Sequence, residues 1–200
     1  AAYRWSEEHI GRFLGHRRHE FVFATKCGSW RVQQPDGEWV QTLDYSAAAV
    51  APQIDRSLQR LGTDYIDLIQ LHSPSVDDLV HGDDIEGLER ARQQGKVRFV
   101  GLSADGQAAQ VAVDSGAFDT LQITLNVVEQ ESAGVIAAAR ARGMGVIAKT
   151  PVASAAYTRA RPEGAAGITW DQAQILLGPG CIGTLPPVAD PSARRRPARL

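Results

Sequence analysis

The chain has 200 residues, 44% hydrophobic and 22% charged, with a formal net charge of −2, a composition that suits one sizeable globular core. That charge gives no electrostatic reason to expect nucleic acid or an anionic membrane as partner, and no apolar run approaches the ~20 residues that span a bilayer. Cys27 and Cys181 stand far apart in no metal-ligand spacing and read as reduced thiols, as expected of a cytoplasmic protein. No charged-then-apolar leader opens the chain. Its first residue, Ala1, reads as the interior of something longer.

Residues 5–17 predict a helix, with Ser6 as cap, Glu7 and Glu8 at its positive end, and Ile10, Phe13 and Leu14 on one face. Residues 21–27 predict a strand ending near Lys26. Residues 28–45 carry Gly, Pro and Asp-Gly turn signals and predict a loop with a small hairpin around Asp36-Gly37. A helix to about Leu61 follows, with Ile54, Leu58 and Leu61 on one face and Gly62 as terminator. Pro52 either opens or kinks it. Residues 64–74 hold the most buried-looking run: Ile66, Leu68, Ile69 and Leu71, stopped by Ser73 and Pro74. This leaves His72 at the carboxyl end of a strand.

A helix is expected over about 83–94, acidic at its start and basic at its end. A strand over 97–103 ends on Ser103, and Asp105 can cap the helix after it. A strand over 120–126 contains Gln122 and ends at Asn126. Ser132 can cap the next helix, and a strand over 145–151 holds Lys149. Thr169 can cap a short helix, and 181–188 can form a last strand truncated by Pro186 and Pro187. The basic tail, with Arg194, Arg195, Arg196 and Arg199, reads as loose. His9, His16, His19 and His81 have no metal-ligand spacing and read as surface residues.

Strands alternating with helices predict parallel βα units in an α/β fold. About six strand signals suit either an open doubly wound sheet or an incomplete barrel. No GxGxxG follows the first strand, so the dinucleotide fingerprint of the open fold is absent. The strand ends carry Lys26, His72, Ser103, Gln122 and Lys149, and Tyr3 precedes the first helix. Tyrosine, lysine and histidine together suggest carbonyl reduction. A phenol with a pKa near ~10 is a poor acid at neutral pH, and a nearby ammonium lowers that value. An imidazole can hold a carbonyl in line, and the hydride must come from a cofactor.

Several segments, in order, carry a resemblance to the aldo-keto reductases. AAYRWSEEHIGRFL resembles the family's DTAxxYGxSExxlGxxL, and FATK its lysine-bearing strand. SLQRLGTDYIDLIQLHSP resembles SLxRLxxDYiDLxxlH, GLERARQQGKVRFVGLS resembles the segment with GKvRxiGvS, and LQITLN and GVIAKTPVAS resemble the sixth and seventh strands. The match is best over residues 1–155 of what reads as a single domain of 200 residues. The resemblance implies a parallel (β/α)8 TIM-type barrel, incomplete here because the first two strands are largely missing. It also implies reduction of an aldehyde or ketone with NADPH, or with NADH in its place. By motif position Tyr3 is the proton donor, Lys26 its pKa-lowering partner and His72 the carbonyl-orienting residue. Ser103 and Gln122 bind the nicotinamide carboxamide, with Asn126 and Lys149 beside them; the partner is a small carbonyl compound.

The departures from the family pattern also matter. The family's aspartate, five residues before the tyrosine, falls upstream of Ala1. Arg4 stands for the glycine after the tyrosine, Ala104 for an asparagine, and Lys149 for an aromatic or arginine. The phosphate-binding stretch becomes Leu185-Pro186-Pro187-Val188-Ala189-Asp190-Pro191, without its glycine and its basic residue. These departures suit a second reading, a non-catalytic relative that binds nucleotide or a protein partner.

Overall fold

A computed structural model of the chain describes residues 5–126, 128–151 and 153. The chain divides into two units, one of residues 1–125 and 131–149, the other of 126–130 and 150–200. The first unit is built on a five-stranded parallel sheet, ordered β1 (Ala24–Cys27), β4 (Ile66–His72), β5 (Val97–Ser103), β6 (Thr120–Thr124) and β7 (Gly145–Lys149). Five of the expected strands are therefore present, shorter at some ends than the sequence suggested; residues 181–188 lie outside the described residues. An antiparallel hairpin, β2 (Ser29–Gln33) and β3 (Trp39–Leu43), stands apart from the sheet. Its turn is the expected one: Gly37 takes φ +88° and the Asp36 carboxylate accepts the Glu38 N–H at 2.9 Å.

Side chains of a strand alternate between faces, and the register fixes which residues share one. Ile69 and Leu71 of β4 point to the same face as Val100 and Leu102 of β5 and Leu121 and Ile123 of β6. All are at most 1% exposed and belong to one core with residues of the helices. The helices supply that core by period. In α2 (Ala47–Leu61), Val50, Ile54 and Leu61 are buried; in α5 (Gly106–Ser115), Ala109, Ala112 and Val113; in α4 (Asp84–Gln93), Leu88 and Ala91. Burying one such aliphatic side chain contributes about 1.5–3 kcal/mol. α6 (Ala133–Ala141) adds Ala139 behind β7.

Several local expectations change. Ser6 is the first residue of α1 (Ser6–Leu14) rather than its cap, and a 3-10 helix over Gly15–Glu20 continues it. Pro52 does not open α2 but lies inside it: Ser46 caps that helix, accepting the Ala49 N–H at 3.3 Å, and Gly62 ends it at φ +64°. Asp105 and Ser132 occupy N-cap positions without a side-chain capping bond. The loop after His72 contains an unforeseen helix, α3 (Val76–His81), opened by a capping box between Ser75 and Asp78. It is only six residues long, too short for a periodic signal.

In the second unit Asn126 organises its own loop. Its Oδ1 accepts the N–H groups of Val128 and Glu129, both at 2.9 Å. Its Nδ2 donates to Glu129 Oε2 at 2.8 Å and to the Thr150 carbonyl at 3.1 Å.

Candidate active site

The sheet is parallel, so its carboxyl ends lie along one rim. His72 stands opposite Ser103, and Ser103 opposite Gln122. Lys26 is opposite Gln70, two residues before His72, and Lys149 is opposite Thr124, two after Gln122. The period of two then places Lys26, His72, Ser103, Gln122 and Lys149 on the sheet face opposite the helix-packed core. The structure thus brings together five of the residues expected at the site. Tyr3 lies outside the described residues, as do Arg194, Arg195, Arg196 and Arg199. His9, His16, His19 and His81 are exposed, and the described residues form no cluster able to hold a metal ion.

The electrostatics of this row are coupled. Partial burial lowers the pKa of Lys26 below its ordinary value, and the charge of Lys149 lowers it further. Burial also lowers the pKa of His72, helped by the ammonium groups of Lys26 and Lys149. The imidazole is therefore neutral at pH 7 and can hydrogen-bond a neutral carbonyl. Lys149 is held by Asp105, whose Oδ2 lies 2.6 Å from its Nζ. Burial opposes ionisation of Asp105, yet Lys149 and the Thr124 N–H together keep its pKa below the usual range.

The rim is fixed from behind. The His72 carbonyl accepts the Tyr45 hydroxyl at 2.7 Å. Burial, with Asp78 and Cys27 beside it, pushes the Tyr45 phenol up to about 12, so it remains a donor. Ser73 turns the chain at φ 58°, a left-handed conformation rare for a residue with a Cβ. That turn lets its N–H reach the Ser103 carbonyl at 2.8 Å, tying the end of β4 to the end of β5. Next to Lys26, Thr25 donates its hydroxyl to Glu7 Oε1 at 2.7 Å, and Arg60 binds Glu7 Oε2 at 3.0 Å. Glu7 is 2% exposed, and through it α1, β1 and α2 share one buried anchor.

Sequence reasoning missed Tyr45, Glu7 and Asp105 as parts of the site. Tyr45 lies in a loop, and its hydroxyl meets a backbone atom 27 residues away, which no local pattern reports. Glu7 looked like a helix-dipole residue and Asp105 like a cap. A readable signal existed for Asp105, which follows Ser103 by two positions and so leaves the same strand end.

A nicotinamide cofactor can be tested against the buried polar atoms of this face. Gln122 Oε1, Gln70 Nε2 and Thr120 Oγ1 are buried and have no hydrogen-bond partner among the described residues. The register places all three side chains on the face that holds His72. An amide carbonyl that lacks a donor suits the NH2 of a carboxamide, and Ser103 stands beside it to complete such a contact. The residues present fit the group.

Comparison with known proteins places the chain in a family. The Aldo/keto reductase family matches residues 1–175. The uncharacterized oxidoreductase YqkF of Bacillus subtilis is 37% identical over 99 residues, covering 50% of this chain and 31% of that protein. L-galactose dehydrogenase of Arabidopsis thaliana is 28% identical over 156 residues, covering 72% of this chain and 45% of that protein. The chain thus spans less than half the length of these two relatives. Among solved structures, the holo form of an aldo-keto reductase from Bacillus halodurans superposes with a TM-score of 0.67 at 28% identity, covering 80% of this chain and 52% of that one. The five parallel strands form part of such a barrel. With most of its length matched and the strand ends in place, the chain belongs to the aldo/keto reductase family.

Proposed function

We propose that the protein reduces an aldehyde or ketone to the alcohol with NADPH, or with NADH in its place, and that residues 1–200 form one barrel-type domain. The observation that carries this reading is the single row of His72, Ser103 and Gln122 across three adjacent strands, with Lys26 and Lys149 on the same face. The reduced nicotinamide would supply the hydride to the carbonyl carbon. Neutral His72 donates a hydrogen bond to the carbonyl oxygen and orients it. Tyr3 gives that oxygen its proton, and the Lys26 ammonium lowers the pKa of the phenol so that it can. Ser103 and Gln122 hold the carboxamide. Lys149, fixed by Asp105, contributes positive charge at the same rim, and Asn126 shapes the loop after β6.

The test follows loss of reduced-nicotinamide absorbance with an aromatic aldehyde as substrate. Tyr3→Phe keeps the ring and removes the proton. Its turnover should fall by roughly 10²–10⁴-fold while cofactor affinity holds. A Tyr3→Phe protein as fast as the parent would remove Tyr3 from this role.

A further inference from the structure

Beside the row lies a cleft of about 360 Å3 between the hairpin and α2, lined in part by Lys26, Trp30, Arg31, Arg56, Ser57 and Arg60. None of the described residues that line it is a carboxylate. Several other arginines are matched: Arg18 and Arg98 with Asp67, Arg92 with Asp119, Arg142 with Asp114. Within the cleft Arg60 is matched by Glu7 and Glu8. Arg31 and Arg56 make no ion pair among the described residues. Two guanidinium groups without an ion pair among the described residues, with an ammonium and an indole nearby, form a concave cationic surface.

Lys26 belongs to both places. It lines the cleft, and its charge reaches His72. We propose that the cleft takes the anionic end of the substrate, so that the preferred substrates are carbonyl compounds bearing a carboxylate or phosphate. The carbonyl sits at His72. The anion sits between Arg31 and Arg56, and Trp30 packs against the body of the molecule. This proposal rests on reading Lys26 and His72 as the reacting end. The anion is the substrate's own rather than the cofactor's, because Ser103 and Gln122 place the carboxamide further round the rim, on the far side of His72 from β1.

The test is a binding measurement by calorimetry without cofactor, so that it stands whether or not the chain turns over. The probes are 4-carboxybenzaldehyde, its methyl ester, and adenosine 2′-monophosphate as a surrogate for the cofactor phosphate. The parent chain should bind the acid at least about tenfold more tightly than the ester at low salt, with the advantage shrinking as salt rises. In Arg31→Gln/Arg56→Gln the acid-to-ester ratio should collapse to within about twofold, since charge-assisted bonds carry the difference. Both side chains are exposed, so the fold should survive, which an unchanged melting curve would check. Equal binding of acid and ester by the parent overturns the proposal. So does an arginine-dependent affinity for adenosine 2′-monophosphate without one for 4-carboxybenzaldehyde, which would assign the cleft to the cofactor. An active enzyme with no acid preference would sink this inference and spare the reductase reading. An acid preference without turnover would do the reverse.

Discussion

Lys26 and His72 show what partly buried basic groups cost the fold that holds them. Both are basic groups whose pKa is lowered in the folded chain, first by burial. Between the folded pKa of Lys26 and 10.5 the unfolded chain binds more protons, so stability rises with pH across that window. Below the window the ammonium is present in both states and its burial weakens the fold. Lys26→Met keeps the stem and removes the charge. It should raise the melting temperature at pH 7 and remove this component of the rise in alkali, while turnover drops by roughly 10²-fold or more. Because Lys26 also depresses His72, the imidazole pKa should move up in the variant, readable by NMR titration. A melting temperature that falls, with His72 unmoved, would show that the two groups do not communicate. At this scale the sequence was informative about identity. A strand that ends on His72 before Ser73-Pro74 places the imidazole at a rim. The strength of its coupling to Lys26 was not legible, since the partner stands 46 positions away and meets it only through β1–β4 pairing.

At the scale of elements, the connection from β1 into the hairpin depends on one residue without a side chain. Gly28 takes φ +85°, and a Cβ there would come within 2.1 Å of the Tyr45 ring. Its N–H donates to Gln53 Oε1 at 2.9 Å, so it cannot move freely. The same ring carries the hydroxyl that holds the His72 carbonyl. Gly28→Ala should therefore destabilise the protein by about 2–4 kcal/mol, from backbone strain and overpacking together. Tyr45→Phe should cost only about 1 kcal/mol, the loss of one hydrogen bond. Placing Gly28→Ala on a Tyr45→Ala background should recover part of its cost, because the clash has gone and only the backbone strain remains. Denaturant unfolding of the parent, Gly28→Ala, Tyr45→Ala and the double variant reads the cycle, and strict additivity would refute a shared contact. The hairpin itself was legible from Asp36-Gly37, but the bond that ties its base to α2, from the Gly28 N–H to Gln53, was not. Apolar patterning reports the buried face of α2, Val50 and Ile54, and says nothing of Gln53, which is buried on polar contacts to Gly28 and Ala49.

For the whole molecule, alternation of strand and helix predicted the parallel sheet, and the family segments predicted which barrel it belongs to. Five strands in the order β1-β4-β5-β6-β7 meet that expectation over the described residues. Among the described residues β1 and β7 each have one strand neighbour in this sheet. What the sequence could also say concerns a part of the chain beyond the described residues. Where the family carries a glycine-centred phosphate loop, this chain has Leu185-Pro186-Pro187-Val188, and Pro187 has no N–H to offer a phosphate. The carboxamide contacts proposed for Ser103 and Gln122 would not distinguish NADPH from NADH, because the two differ only at the adenosine 2′ position. Arg194, Arg195 and Arg196 follow closely, but exposed charge pairs contribute about 0–1 kcal/mol each and are screened by salt. The protein should therefore discriminate between the two reduced cofactors by less than about tenfold, or ~1.4 kcal/mol, and by less still at physiological salt. Fluorescence titration with each cofactor at two salt concentrations measures this directly. A salt-resistant preference for NADPH well beyond tenfold would mean that the C-terminal segment builds a phosphate site without the glycine turn. In that case the basic tail would be part of the binding surface.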